Sequence, residues 1–498
     1  MRARLGWVLL AVVVATTGRL PALLHQGAID DEAIYAVVGN VMVDGGLPYL
    51  NAIERKPPLL FVVYEAIFQC FGKFNWPALH FVALAWVLLT MAGLYVIGRR
   101  LFSPRAGYLA AVLYSIYQPW GTWKDLAFNG EVLMNLPLVW AFVLALGPAR
   151  LRSRPALFLS GVLVAAAALL KQPAAIAVVP LGLYVVLPSY RASRGYTWAD
   201  SIRHVLMLAG GMCATLGGAA AVVWRQGILG EALYWTITNH QVEYVLWLHA
   251  FEHSLGFVVA TLPLLLPVMM PRLLGTAWSG RLAEGRAILL WAGVSLIGTS
   301  AGGRFYPHYY IQLIPPLAIL SGAVYARIKE DASVPHLWLT SPRVTYAWLA
   351  LTVAVFLAID WVGLARSATP SQAGRYVREH SRPEERIFVW GQAPAVYLEA
   401  ERAPASRYVA TFPLTGYIFG VHQPGLDTSG RVRPDEWSKL RADLAANPPA
   451  FLVDYEVMPD AAYPLERFPF LVDLVAKHYQ LAVRLGDSVI YRRGPAER

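Results

Sequence analysis

Three acids stand together at Asp30, Asp31 and Glu32, and a basic pair, Arg55–Lys56, follows in the same stretch, Gln26–Gly72. A carboxylate held at a membrane surface can take a proton from a hydroxyl. A Lys suits a phosphate as a point charge. Each has a plainer reading. Ile34, Val37, Val38 and Val41 recur at helical spacing, so Asp30 or Asp31 could be the N-cap of that helix, its acids favoured by the dipole. Three acids in a row exceed what a cap needs. Lys56 precedes Pro57–Pro58, which holds its backbone extended, and could simply snorkel toward headgroups.

Further along, Phe128-Asn129-Gly130-Glu131 opens an apolar helix, and Glu131 is either a first-turn acid or a group that holds a sugar or acceptor. Lys171, in LLKQPAA, interrupts a long apolar stretch, where an ammonium is costly unless solvated or paired; phosphate binding is its functional reading. In Gly302-Gly303-Arg304-Phe305-Tyr306-Pro307-His308-Tyr309-Tyr310 the glycines permit close approach and Arg304 offers a planar fork for phosphate. His308 and Tyr309 read as packing or sugar-stacking residues. His249 and His253 have the i,i+4 spacing that grips a metal, with His240 nearby, but no third-ligand pattern accompanies them. Cys70 and Cys213 lie far apart in apolar segments and read as buried small hydrophobes.

The elements that must carry these groups are membrane helices. The 498 residues are 57% hydrophobic and only 15% charged, against about 25% in soluble domains, and the mean hydropathy is +0.46. A span needs about 20 apolar residues. Leu5–Leu24 is expected to be an uncleaved first helix with Met1–Arg4 cytoplasmic. Pro58–Phe71 is too short to cross comfortably, at about 21 Å as a helix, and is expected to lie at the interface or re-enter it, closed by Gly72. With Trp76–Gly98 and helices near 107–119, 130–147, 156–170, 173–188, 204–224, 254–270, 287–301, 308–326 and 344–364, eleven spans result.

That count puts Arg2, Arg4, Arg99, Arg100, Arg105, Arg150, Arg152, Arg154, Arg191, Arg194, Arg203, Arg272, Arg281, Arg286, Arg327, Lys329 and Arg343 inside, as the positive-inside rule asks. The bases left outside, Arg55, Lys56, Lys73, Lys124, Lys171, Arg225 and Arg304, are anomalous for orientation and so are candidates for function. Trp120, Trp123, Trp224, Trp235 and Trp247 read as interfacial anchors. The net charge of +10 is thus an orientation signal, and no nucleic-acid module is present.

The expected fold is a polytopic α-helical membrane protein, residues 1–366 with a catalytic first outer loop at 25–75, followed by a soluble extracytoplasmic α/β domain, 367–498. In the latter, SQAGRYVREHS, APAVYLEAE, PDEWSKLRADLAANPP and LERFPFLVDLVAKHYQ read as helices. RIFVWG and AFLVDYE read as strands, and LAVRLGDSVIYRR as a closing hairpin.

Asp31-Glu32 with Tyr35, then Gly46-Leu47-Pro48-Tyr49, then Lys56-Pro57-Pro58-Leu59 before an apolar helix, resembles the protein O-mannosyltransferase and lipid A aminoarabinose transferase superfamily. These are membrane glycosyltransferases of the GT-C fold. The resemblance implies that Asp31 is the general base, with Asp30 and Glu32 beside it, and that Lys56 contacts the phosphate of a polyprenyl-linked sugar donor, joined by Arg304, Lys171 and Arg55. Glu131, Tyr35, His308 and Tyr309 would meet sugar or acceptor. The chain departs from the pattern at Arg55, where the aminoarabinose transferases carry an acid.

The implied reaction moves a sugar, with inversion, to an acceptor hydroxyl on a lipid, glycan or protein at the outer face of a bacterial plasma membrane. No cofactor is implied, and a divalent metal is not favoured. A transporter or flippase of lipid-linked sugars is the rival reading, and a non-catalytic docking subunit the third.

Overall fold

A computed structural model describes residues 2–146, 154–192, 195–240, 245–269, 282–328, 342–367, 371–419, 421, 427–455, 463–486 and 488–494. Of the bases used for orientation, Arg150, Arg152, Arg194, Arg272, Arg281 and Lys329 lie outside these residues, as does Asp487 of the hairpin turn.

The apolar runs fold as helices: α1 (Arg2–Leu24), α2 (Glu32–Val43), α3 (Pro58–Phe71), α4 (Trp76–Leu101), α5 (Pro104–Tyr117), α6 (Gly130–Ala145) and α7 (Arg154–Leu170). The bounds of α3 have a local cause. Pro57 is extended (φ −64°, ψ 156°) and Pro58 supplies a first-turn residue that needs no donor. Gly72, at φ +94°, stops the helix.

Three expected helices are interrupted where prolines remove a donor and crowd the preceding turn. The run 173–188 is a 3₁₀ turn, Gln172–Ala177, followed by helix Val178–Val186. The run 308–326 opens as 3₁₀, Pro307–Leu313, before helix Ile314–Ile328, which carries Pro315 and Pro316. The run 254–270 begins earlier, at Trp247, and ends at Ala260; Leu262–Leu265 restarts around Pro263.

By length and composition four segments can cross a membrane: Trp76–Leu101, Trp198–Arg225, Pro307–Ile328 and Tyr346–Ala365. Shorter apolar helices, among them Val8–Leu24, Gly130–Ala145, Arg154–Leu170 and Gln172–Val186, accompany them.

The chain divides into two compact units. Unit 1 comprises Met1–Leu24, Leu79–Gln226 and Gln241–Leu364. At its centre α5 packs on Ile314–Ile328, and both are almost wholly buried. The helix Trp198–Arg225 is mostly exposed, as a lipid-facing helix is. It meets α7 through Gly161 and Gly211, where an added Cβ would stand 1.9 Å from the facing Leu208 and Phe158 carbonyl oxygens respectively. Small residues set that approach.

Unit 2 comprises His25–Ala78, Gly227–His240 and Ala365–Arg498. The first long loop therefore packs with the C-terminal segment: the Ile53 N–H donates to the Arg407 carbonyl at 2.9 Å. Its sheet has the order β1 (Ile387–Trp390), β2 (Phe451–Asp454), β4 (Ser488–Arg493), β3 (Tyr479–Leu485). The β1–β2 pair is parallel and the other two are antiparallel, with Ile387 opposite Phe451 and Val453 opposite Ile490. Helices Gln372–His380, Ala395–Ala400, Glu436–Ala446 and Pro469–His478 complete the expected α/β arrangement.

Two readings are corrected. Cys70 and Cys213 are exposed, on apolar helix faces that the protein leaves uncovered. Trp224 and Trp247 are exposed as anchors would be, but Trp120 and Trp235 are interior. Trp120 packs edge-on against Phe257 and Tyr310. Trp235 packs on Phe412 and donates its indole N–H to Glu231. Aromatic bulk has been used for packing in both.

Candidate active site

In unit 2 the acids at the head of α2 divide their roles. Asp30 takes a left-handed conformation (φ +51°), which short acidic side chains tolerate. Past this kink the buried Glu32 reaches back, and its Oε2 accepts the Ile29 N–H at 2.9 Å. Asp31 occupies the N-cap position but makes no side-chain capping bond. Its Oδ2 instead accepts the Tyr35 hydroxyl proton at 3.0 Å, one turn along the helix. The same oxygen lies 4.0 Å from Lys56 Nζ, and the Asp31 side chain is 41% exposed. Tyr35 is fixed by burial against Tyr64 and offers its ring face to Lys56 Nζ at 5.8 Å. Asp31 is thus a partly exposed carboxylate oriented by a phenol and facing an ammonium.

Lys56 is held from behind. Tyr49, at φ +66°, donates its hydroxyl to the Lys56 carbonyl at 2.7 Å. Arg55 turns elsewhere: its guanidinium carbon sits 4.7 Å from the Phe412 ring centroid and 4.9 Å from that of Phe419. The neighbouring Glu54 is a group that the sequence reading passed over. It is buried, and burial pushes its carboxyl above the ordinary 4.5; Lys56 and Arg55 pull it down less strongly, and Asp31 adds to the rise. The one signal available in sequence was an acid three residues before two consecutive prolines.

Glu54 also yields an expectation for stability. A carboxyl whose folded value lies above its unfolded value binds its proton more tightly when folded. Its contribution is complete below about pH 4.5 and is lost as pH climbs through the raised value. Glu54→Gln, always neutral, should remove that loss. Thermal unfolding from acid to neutral pH should show wild type weakening relative to the variant, and parallel curves would refute the assignment.

In unit 1 the two buried residues Glu131 and Lys171 form an ion pair with each other. Asn129 caps α6, its Oδ1 accepting the Val132 N–H at 3.2 Å, and this places Glu131 in the first turn. Lys171 ends α7 in extended conformation before Pro173, and its Nζ lies 4.3 Å from the Tyr309 ring centroid. Gly130 makes room for it, since a Cβ there would stand 2.9 Å from Lys171 Cδ.

Tyr309 packs edge-on to His308 and Tyr306. Arg304 lies in a tight loop between Gly303 (φ +63°) and Phe305 (φ +52°). That loop is tied down by Leu246 N–H to the Gly303 carbonyl at 2.9 Å and by His253 Nδ1 to the Phe305 carbonyl at 2.8 Å. His249 and His253 stand 5.2 Å apart, ring to ring, beside this loop. Among the described residues no three His, Cys, Asp or Glu side chains are grouped to hold a metal ion.

Helices able to cross a membrane, a small α/β sheet and an oriented acid–ammonium pair ahead of a proline-led helix define a class of integral-membrane protein. Residues 55–216 match the family model described as dolichyl-phosphate-mannose-protein mannosyltransferase. The crystal structure of ArnT from Cupriavidus metallidurans in the apo state is similar over 99% of this chain and 100% of that one, with 18% identity and a TM-score of 0.62. The same protein bound to undecaprenyl phosphate gives 98%, 99%, 18% and 0.60. The Archaeoglobus fulgidus oligosaccharyltransferase tethered with an acceptor peptide gives 96%, 72%, 14% and 0.51. No curated protein sequence matches. The chain has the GT-C fold that these solved structures share.

Proposed function

We propose that this protein is a membrane glycosyltransferase that moves a sugar, with inversion, from a polyprenyl-phosphate carrier to an acceptor hydroxyl at the outer face of a bacterial plasma membrane. The observation that carries the reading is Asp31 Oδ2, partly exposed, held by Tyr35 and facing Lys56 Nζ at 4.0 Å. The similar ArnT structure with undecaprenyl phosphate supports a lipid-linked donor. The eleven expected crossings would put the loop 25–75 and residues 367–498 outside.

Asp31 takes the proton of the acceptor hydroxyl. The acceptor oxygen attacks the anomeric carbon from the face opposite the phosphate. The anomeric C–O bond breaks and its electron pair leaves with the phosphate oxygen. The leaving group is a phosphate monoester with a second pKa of about 6, so it needs charge stabilisation more than protonation. Lys56 supplies that charge where it develops. One base therefore suffices. Glu131 and Lys171, already paired, act as a neutral unit that braces Tyr309 for a sugar face. Tyr35, beside Asp31 and Lys56, meets the sugar or the acceptor, and a divalent metal is not favoured.

Purified protein is incubated with radiolabelled polyprenyl-phosphate sugar and candidate acceptors. Release of free polyprenyl phosphate with label on the acceptor supports the enzyme. Passage of intact labelled lipid across vesicles without release would replace the reading with a transporter.

A further inference from the structure

We propose that Arg55 is a positioning residue, through which the aromatic pair Phe412 and Phe419 of the C-terminal segment sets the direction of Lys56. The inference rests on the role given to Lys56 above. The segment leading to Lys56 is fixed at successive positions. Ile53 donates its N–H to the Arg407 carbonyl at 2.9 Å. Arg407 is itself immobilised by Asp443, its Nε 2.9 Å from Oδ2 and its Nη2 2.8 Å from Oδ1. Arg55 then lays its guanidinium against two rings at 4.7 and 4.9 Å. A planar cation stacks on aromatic faces in a way that an ammonium does not reproduce. Tyr49 holds the Lys56 carbonyl from the other side, and Pro57 keeps the chain extended.

Arg55 and Lys56 share one bend of the chain, so fixing the side chain of one limits where its neighbour can point. Seating Arg55 on Phe412 and Phe419 therefore sends Lys56 toward Asp31 and Tyr35, where it is found. This gives the C-terminal segment a part in the chemistry at Lys56. A displacement of about 1 Å at a reacting site costs up to about 100-fold in rate.

The test is a set of variants assayed for turnover of labelled polyprenyl-phosphate sugar. Phe412→Leu with Phe419→Leu keeps the apolar bulk and removes the ring faces. Arg55→Leu breaks the same contact from the other side and guards against misfolding of the first variant. Each is expected to lower kcat about 10- to 100-fold in the natural background, with the thermal unfolding midpoint held. In a Lys56→Met background the same changes should cost less than about 2-fold, because they act through Lys56. Equal losses in both backgrounds, or no loss in the natural one, overturn the inference alone. Wild-type turnover in Lys56→Met by itself removes the underlying site assignment, which separates the two failures.

Discussion

Asp31→Asn is expected to lower sugar transfer by about 10²- to 10⁴-fold in kcat/KM, the usual contribution of a general base, while the protein inserts and unfolds as the wild type does. The substitution is nearly isosteric. The amide carbonyl still accepts the Tyr35 hydroxyl that Oδ2 accepts now at 3.0 Å, so the local hydrogen bond survives. The side chain makes no capping bond to α2, so no cap is lost. What disappears is the basic lone pair and the negative charge facing Lys56 at 4.0 Å.

The neighbouring acids give the contrast. Glu32→Leu should act on stability, because it removes the buried acceptor that holds the Ile29 N–H. Asp30→Asn should act on neither strongly, since an Asn side chain tolerates the same left-handed conformation (φ +51°). Release of polyprenyl phosphate, measured beside a thermal midpoint, separates the three. Full turnover in the Asp31→Asn protein would sink the assignment of the base.

The legible parts of this fold were those set by local chemistry. Pro58 and Gly72 bracket α3 at the residues expected, and the strands at Ile387–Trp390 and Phe451–Asp454 follow from short apolar runs between turn formers. The misread parts were those where a tertiary partner decides. Trp235 resembles an anchor until Phe412, far along the chain, covers it. Glu54 drew no reading at all, because its burial is not encoded by spacing. The runs near 173 and 308 were apolar enough for continuous helices, but their first residues are 3₁₀, just ahead of Pro180 and of Pro315 and Pro316.

The site divides in the same way. That Asp31 and Lys56 would face each other was legible, because both lie in one loop, and they stand 4.0 Å apart. That Arg55 faces away from its neighbour, and that Glu131 and Lys171 answer each other across forty positions, depends on contacts no spacing encodes.

Lys171→Met is expected to cost about 3–5 kcal/mol of stability, the usual result of breaking a buried ion pair from one side. Glu131 is 1% exposed, so its carboxylate would lose its partner with no water to replace it. The ring of Tyr309, now 4.3 Å from the ammonium, offers a carboxylate nothing in return. Adding Glu131→Gln should restore most of the loss, because a neutral amide and a thioether avoid stranding a charge.

The double variant then separates two roles. If Lys171 is the internal counter-ion of Glu131, the Lys171→Met/Glu131→Gln protein regains both its unfolding midpoint and its donor turnover. If Lys171 contacts the donor phosphate directly, the midpoint returns while the KM for the polyprenyl-phosphate sugar stays raised. The pairing of the two buried side chains beside Tyr309 predicts the first outcome, and a raised KM at a restored midpoint would return Lys171 to the phosphate.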